Sequence, residues 1–182
     1  MNKYLKGCLI ILGILLLCII SIMIWYNYTA AQRREQAKID TVKYSEICER
    51  TDFVTEKPYV TLTGFDRLEV KKVRFLLIRQ GMAVQDTLTS PQPEAIYEYM
   101  SIQIPFAAFK KTDTIIMQIS GKHEYFFQLS DFHHYAYLHY GMMGYLGTYD
   151  CRFDDQHFLI NGKASNGQLH KQDGLATLDW KK

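Results

Sequence analysis

Four histidines and one aspartate are the side chains in this sequence best suited to bind a metal ion. They are His123, Asp131, His133, His134 and His139. Imidazole and carboxylate groups bind Zn²⁺ and related transition metals. On an extended strand, however, His133 and His139 lie about 20 Å apart, and His134 faces the other side. We therefore predict no metal and no cofactor, and keep a metal-binding, small-ligand-binding or hydrolytic domain at His133/His134/His139 as the alternative hypothesis.

Tyrosine, phenylalanine and methionine are concentrated between residues 125 and 149. Tyrosine joins a large apolar ring to a polar hydroxyl group, a combination typical of protein contact surfaces. Because side chains alternate along a strand, about half of these residues should face the core. We predict that the others form a surface that binds a protein partner. The predicted partner-binding residues are Tyr135, Tyr137, Tyr140, Met142, Met143, Tyr145 and Tyr149.

Other patterns associated with catalysis or ligand binding are incomplete in this sequence. Gly141, Gly144 and Gly147 lack the spacing of phosphate-binding glycine loops. The G-x-S-x-G pattern of serine hydrolases does not occur. The acidic residues around Asp154 lack the loop register of calcium sites. We therefore expect a protein that is not an enzyme.

Composition places the chain among folded proteins and argues against nucleic-acid binding. Of its 182 residues, 48% are hydrophobic and only 4 are proline, which excludes a disordered chain. Once Lys3 and Lys6 are set aside, the 21 Lys and Arg residues fall to 19 and equal the 19 Asp and Glu residues. A neutral domain lacks the basic surface that phosphate backbones require.

The N-terminal segment has the length and composition of a membrane span. No charge occurs from Gly7 to Ala31, and the run Cys8–Trp25 contains a single hydroxyl side chain. About 20 apolar residues cross a bilayer core, and aromatic residues such as those at 25–28 favour its boundary. We predict a transmembrane or signal-anchor helix over residues 1–28, in contact with the membrane through residues 8–26. The alternative is a cleaved signal peptide, with its best site at Thr29-Ala30-Ala31.

The flanking charges leave the orientation of this helix open. Lys3 and Lys6 favour an N-terminus in the cytoplasm, whereas Arg33 and Arg34 favour the opposite arrangement. We predict a single-pass protein of the cell (inner) membrane with its C-terminal domain outside the cytoplasm, in an oxidising compartment such as the periplasm.

Two cysteines supply the reason for that choice. Cys48 and Cys151 are the only cysteines outside the apolar run. In an exported domain such a pair is expected to form a disulfide, and the alternative is two unpaired buried thiols.

The rest of the chain predicts a short stalk and a β-rich domain. Good helix formers dominate residues 30–50, so we expect a partly helical juxtamembrane stalk over residues 29–57. From residue 58 to residue 182, eight to ten short apolar runs alternate with turn signals such as Gln80-Gly81 and Asn161-Gly162. This rhythm predicts a mainly β fold, an antiparallel β-sandwich (Ig-like or similar) rather than a small barrel. The predicted strands include 96–104, in the middle of this part, and Leu175–Trp180, at the end of the chain.

These features together favour a membrane-anchored interaction protein. We expect an extracytoplasmic β-sandwich that binds another protein, either as an accessory subunit of an envelope complex or as an immunity-type inhibitor. A structural spacer is a third class, in which no surface residue would matter.

Overall fold

The computed structural model describes residues 3–66, 68–90 and 100–178, and the chain divides into two compact units. The first unit consists of Met1–Glu46 and Ala136–Asp150, and the second of Ile47–Tyr135 and Cys151–Lys182. The described chain is mainly β, with several antiparallel sheets and one long apolar N-terminal helix, as the sequence predicts.

The helix, α1, extends from Lys3 to Glu49 without interruption. Its 47 residues give a length of about 70 Å. Between Gly13 and Glu49 neither glycine nor proline interrupts it, so the predicted anchor and residues 29–49 of the predicted stalk form one helix. Among the described residues it is the single helix long and apolar enough to cross a membrane, and its apolar part is exposed. Ser21 and Thr29 donate hydrogen bonds to carbonyls one turn earlier, which satisfies their hydroxyl groups inside the helix.

Thirteen strands occur in the described part of the chain. In chain order they are β1 Phe53–Val54, β2 Tyr59–Thr63, β3 Lys72–Arg79, β4 Met82–Thr89, β5 Met100–Gln103, β6 Phe109–Lys110, β7 Thr114–Ser120, β8 Glu124–Ser130, β9 His134–Gly141, β10 Gly144–Phe153, β11 Phe158–Ile160, β12 Lys163–Ser165 and β13 Gln168–His170. A single 3₁₀ turn, Lys171–Asp173, follows the last of them.

The second unit is built on a six-stranded antiparallel sheet in the order β12-β11-β8-β7-β3-β4. A three-stranded sheet, β13-β2-β5, pairs β13 with β2 in parallel and β2 with β5 antiparallel. Strands β1 and β6 form a short antiparallel pair. β9 and β10 form a separate two-stranded sheet, most of which lies in the first unit.

Two tight turns fall where the sequence predicts them. Gln80 and Gly81 have φ angles of 50° and 76° and join β3 to β4. Asn161 and Gly162 have φ angles of 52° and 74° and join β11 to β12. Positive φ at both central residues matches the right-handed twist of the paired strands. The Asn161 side chain also accepts a hydrogen bond from the Gln128 amide at 2.8 Å, which fixes the turn against β8.

The core of the second unit receives side chains from both larger sheets. Phe75, Met117 and Phe127 come from the six-stranded sheet, and Val60 and Leu169 come from the three-stranded sheet. All five are fully buried. Strand β3 carries apolar side chains on both faces, and those on its second face, Leu76 and Ile78, pack in a smaller cluster with Ile116.

Several strands differ from the sequence-based prediction. Strands β1, β6, β12 and β13 were not predicted, because two or three residues are too few to produce a visible alternation. The predicted strand 96–104 is observed at Met100–Gln103, and its earlier part lies outside the described residues. Of the predicted strand Leu175–Trp180, Leu175 forms one isolated bridge with Phe126, and residues 179–182 lie outside the described part.

Candidate functional site

The hairpin formed by β9 and β10 packs along the polar half of α1 within the first unit. Three contacts hold it there. Farthest from the turn, the Tyr149 ring stacks on the Tyr44 ring with 3.8 Å between their centroids. Nearer the turn, the Tyr145 hydroxyl donates a hydrogen bond to Asp40 at 2.9 Å, and at the turn Arg33 donates one to the Met143 carbonyl at 3.4 Å. Ala37 permits this close approach because its side chain is small, and it is buried against the hairpin. The turn end of the hairpin therefore points toward the N-terminal, apolar half of the helix.

Tyr145 is the centre of this packing and is only 4% exposed. Its hydroxyl group donates a hydrogen bond to Oδ2 of Asp40, while Gln36 donates to Oδ1 of the same carboxylate at 3.0 Å. Burial, the hydrogen bond to Asp40 and the negative charge of Asp40 raise the pKa of Tyr145 to about 12. Tyr145 thus supports the hairpin from inside and is not presented at the surface.

We expect Tyr145→Phe to reduce the local stability of the hairpin by about 2 kcal/mol, because a buried hydrogen bond to a charged carboxylate is lost. Two kcal/mol is a factor of about thirty, so the hydrogen-bonded amides of Ala136–Asp150 should exchange with deuterium about thirtyfold faster. Tyr140→Phe is the matched control, since the Tyr140 ring is 63% exposed, and it should leave the exchange unchanged. Equal exchange in both variants would contradict this role of Tyr145.

The raised pKa also gives the hairpin a defined pH dependence. The folded-state pKa of Tyr145 is above its ordinary value of about 10. The stabilisation is therefore complete below pH 10 and is lost as the pH rises through about 12.

The outward side of the hairpin exposes apolar and aromatic groups. Tyr137 is 40% exposed, Leu146 55% and Met142 98%, and Tyr140 is also exposed near the turn. Residues 140–149 contain no charged side chain. Of the other predicted partner-binding residues, Met143 is half-buried at the turn and Tyr149 half-buried on α1, while Tyr135 is exposed in the second unit.

The three histidines of the alternative hypothesis have separate environments. His139 pairs with Asp150 across the hairpin at 2.9 Å in the first unit. His133 belongs to the second unit and lies 3.2 Å from Glu49 and 3.3 Å from Asp131. Burial by itself lowers the pKa of His133, but the hydrogen bonds to these two carboxylates outweigh it and raise the pKa above its ordinary value.

His134 is buried on the opposite side of β9, with its Nε2 atom 3.7 Å from Glu56 Oε2. Burial lowers its pKa, so the neutral ring is favoured. Its Nδ1 atom has no hydrogen-bond partner among the residues that the structure describes. Within the described residues, no group of three or more His, Cys, Asp or Glu side chains is arranged to hold a metal ion.

The partners of the hairpin on α1 were not identified from the sequence. Ala37, Asp40 and Tyr44 recur at intervals of three and four residues, which places them on one face of a helix. This spacing could have indicated the face of α1 that is covered. The hydrophobic pattern did not indicate it, because Ile39 and Val42, the more hydrophobic residues of the same segment, are exposed on other faces.

Cys48 and Cys151 come together in the second unit. Their sulfur atoms lie at disulfide-bonding distance, and Cys48 is fully buried. Cys18 lies in the apolar half of α1 and is exposed.

Comparison with protein-family models, with curated protein sequences and with solved structures finds no match to this chain. The site is therefore interpreted from its own geometry.

Proposed function

We propose that this chain is a single-pass membrane protein that uses the outward side of its β9–β10 hairpin to bind another protein. The observation that carries the proposal is the exposed aromatic surface at Tyr137, beside the His139–Asp150 pair, on a hairpin that three contacts hold against α1. Tyrosine and methionine are enriched where proteins meet, and a surface held rigid before binding loses little entropy on association. The protein would act as an accessory subunit of an envelope complex or as an immunity-type inhibitor.

The proposed placement is the cell (inner) membrane, with the C-terminal part outside the cytoplasm. Residues 1–28 would form an uncleaved anchor, residues 29–57 the juxtamembrane stalk and residues 58–182 the extracytoplasmic β-rich part. The apolar, exposed first half of α1 supports the anchor. The bonding distance between Cys48 and Cys151 supports an oxidising compartment.

The finer fold we propose for the β-rich part is an antiparallel sandwich, Ig-like or similar. Its support is the core shared by two sheets, since buried residues such as Phe75 and Val60 come from different sheets and belong to one cluster.

The proposal is tested by capturing the partner with tagged full-length protein. The protein is crosslinked mildly in the cells that naturally produce it, solubilised in detergent, purified and examined by mass spectrometry. We expect one near-stoichiometric protein with the native chain. Tyr137→Ala should reduce its capture at least about fivefold, since central interface tyrosines often contribute more than 1 kcal/mol.

Tyr59→Ala is the matched control for this experiment. Tyr59 is 55% exposed and belongs to the second unit, whereas Tyr137 belongs to the first. It should capture the partner as well as the native chain does. Equal capture by Tyr137→Ala and Tyr59→Ala, with both variants folded by circular dichroism, would refute the assignment of the surface.

A further inference from the structure

The turn end of the hairpin points toward the apolar half of α1. Along α1 the hairpin contacts move from Tyr44 through Asp40 to Arg33 as β10 is followed back to the turn. Arg33 and Tyr44 are eleven positions apart, which corresponds to about 16 Å along the helix axis. The turn residues Met142 and Met143 are consequently the part of the hairpin nearest the predicted membrane span.

The level of this turn can be compared with the thickness of a bilayer. Residues 7–32 of α1 are uncharged and measure about 39 Å along the axis. A bilayer measures about 40–45 Å with its headgroups. Arg33 is the first charge after this segment, and it donates its hydrogen bond to the Met143 carbonyl. The turn therefore lies at the level of the lipid headgroups whenever the uncharged segment spans the membrane.

The chemistry of the turn suits an interface between lipid and water. Met142 is 98% exposed, and Tyr140 and Leu146 are exposed beside it. Transfer of methionine and leucine side chains out of water lowers their free energy, and tyrosine favours the level of the headgroups. Arg33 and Arg34 carry the first positive charges after the uncharged segment, and positive charges at a membrane surface attract anionic lipids.

We propose that the hairpin turn, with Tyr140, Met142 and Leu146, is a second contact with the lipid surface of the membrane that α1 crosses. This inference rests on the proposed anchor and assigns the turn to lipid, while the strand around Tyr137 remains the surface for the protein partner. The turn and α1 together would fix the height of the first unit above the bilayer, so the partner must itself be close to the membrane.

The test measures how fast a single cysteine at the turn reacts with a charged, membrane-impermeant maleimide. Full-length protein carrying C8S and C18S is reconstituted into nanodiscs of phosphatidylcholine and phosphatidylglycerol, and the parent without an added cysteine supplies the background. M142C is compared with V42C, an exposed position farther along α1. Without lipid contact M142C should react at least as fast as V42C, because Met142 is 98% exposed and Val42 is 65% exposed. We expect it to react at least about tenfold more slowly, because contact with lipid excludes the reagent and disfavours the reactive thiolate.

Further outcomes separate this inference from the anchor on which it rests. M23C, in the middle of the apolar run, should be unreactive. If M23C is protected and M142C reacts as fast as V42C, the lipid contact is refuted and the anchor is retained. If M23C also reacts, both the lipid contact of the turn and the membrane anchor are refuted. Protection of M142C in native membranes but not in nanodiscs of purified protein would mean that a protein covers the turn, which also refutes the lipid contact.

Discussion

Replacing Cys48 and Cys151 by alanine should lower the free energy of unfolding of the second unit by about 4–5 kcal/mol. The two cysteines are 103 residues apart, so a bond between them closes a long loop and strongly restricts the unfolded chain. Reduction of the native protein with a phosphine should give the same loss. The measurement is urea denaturation of the full-length protein in detergent micelles, followed by circular dichroism.

The matched control is Cys18→Ala, which removes an exposed cysteine from the apolar half of α1. It should leave the urea midpoint unchanged, with or without reductant. If reduction does not shift the midpoint of the native protein, Cys48 and Cys151 are not bonded in the isolated protein. The proposal of an oxidising compartment would then lose its support.

Substitution of Asp113 should also lower the free energy of unfolding strongly. Asp113 is 1% exposed and lies just before β7. Its carboxylate accepts hydrogen bonds from Arg79 Nε at 2.9 Å, Arg79 Nη2 at 2.7 Å and the Lys110 amide at 2.8 Å. Asp113→Asn retains the size of the side chain but turns one acceptor into a donor that faces other donors. We expect a loss of about 3 kcal/mol in the free energy of unfolding, because the buried Asp113 side chain loses its charge-assisted hydrogen bonds with the partly exposed Arg79.

The same sheet supplies a control with the same chemistry and a different environment. Arg74 and Asp86 form a two-pronged pair between β3 and β4, with 2.8 Å between Nε and Oδ1, but both side chains are nearly half exposed. Asp86→Asn should produce no measurable shift of the urea midpoint, because water solvates both partners of an exposed pair. Equal shifts for Asp113→Asn and Asp86→Asn would contradict the role assigned to burial.

Asp113 also predicts how stability responds to acid. Burial by itself raises the pKa of this carboxyl, but the hydrogen bonds from Arg79 and Lys110 outweigh it, and the pKa lies below its ordinary value. The stabilisation is therefore fully present above the unfolded-state pKa of about 3.9 and is lost as the pH falls through the folded-state value. The native protein should lose more stability below pH 4 than Asp113→Asn does, which acid titration of the urea midpoint measures.

Much of the fold could be predicted from local patterns in the sequence. The uncharged run from Gly7 predicts the apolar half of α1, and strands such as Tyr59–Thr63 follow from alternation that ends at a glycine. Asn161-Gly162 predicts its own turn, because these two residues tolerate positive φ better than others. Four short strands could not be predicted from local pattern, because each forms by hydrogen bonding to a neighbouring strand. They are β1, β6, β12 and β13.

The candidate site shows where sequence reasoning ends. Alternation along β9 and β10 divides the tyrosines into two faces, but it does not say which face is covered. Tyr145 was predicted at the surface and is buried, because α1 places Asp40 and Ala37 against it. Tyr137, on the other face, is exposed.

The sequence by itself thus determined the elements with a strong local signal: the long apolar helix, the mainly β remainder and the turns between strands. Hydropathy and backbone preference act over a few residues, so they can be read without the fold. Only the tertiary structure decided that the hairpin packs on α1, that its turn lies level with Arg33, and that the buried Asp113 pairs with the partly exposed Arg79. These contacts join residues 34 to 110 positions apart, and local pattern carries no information on such pairing.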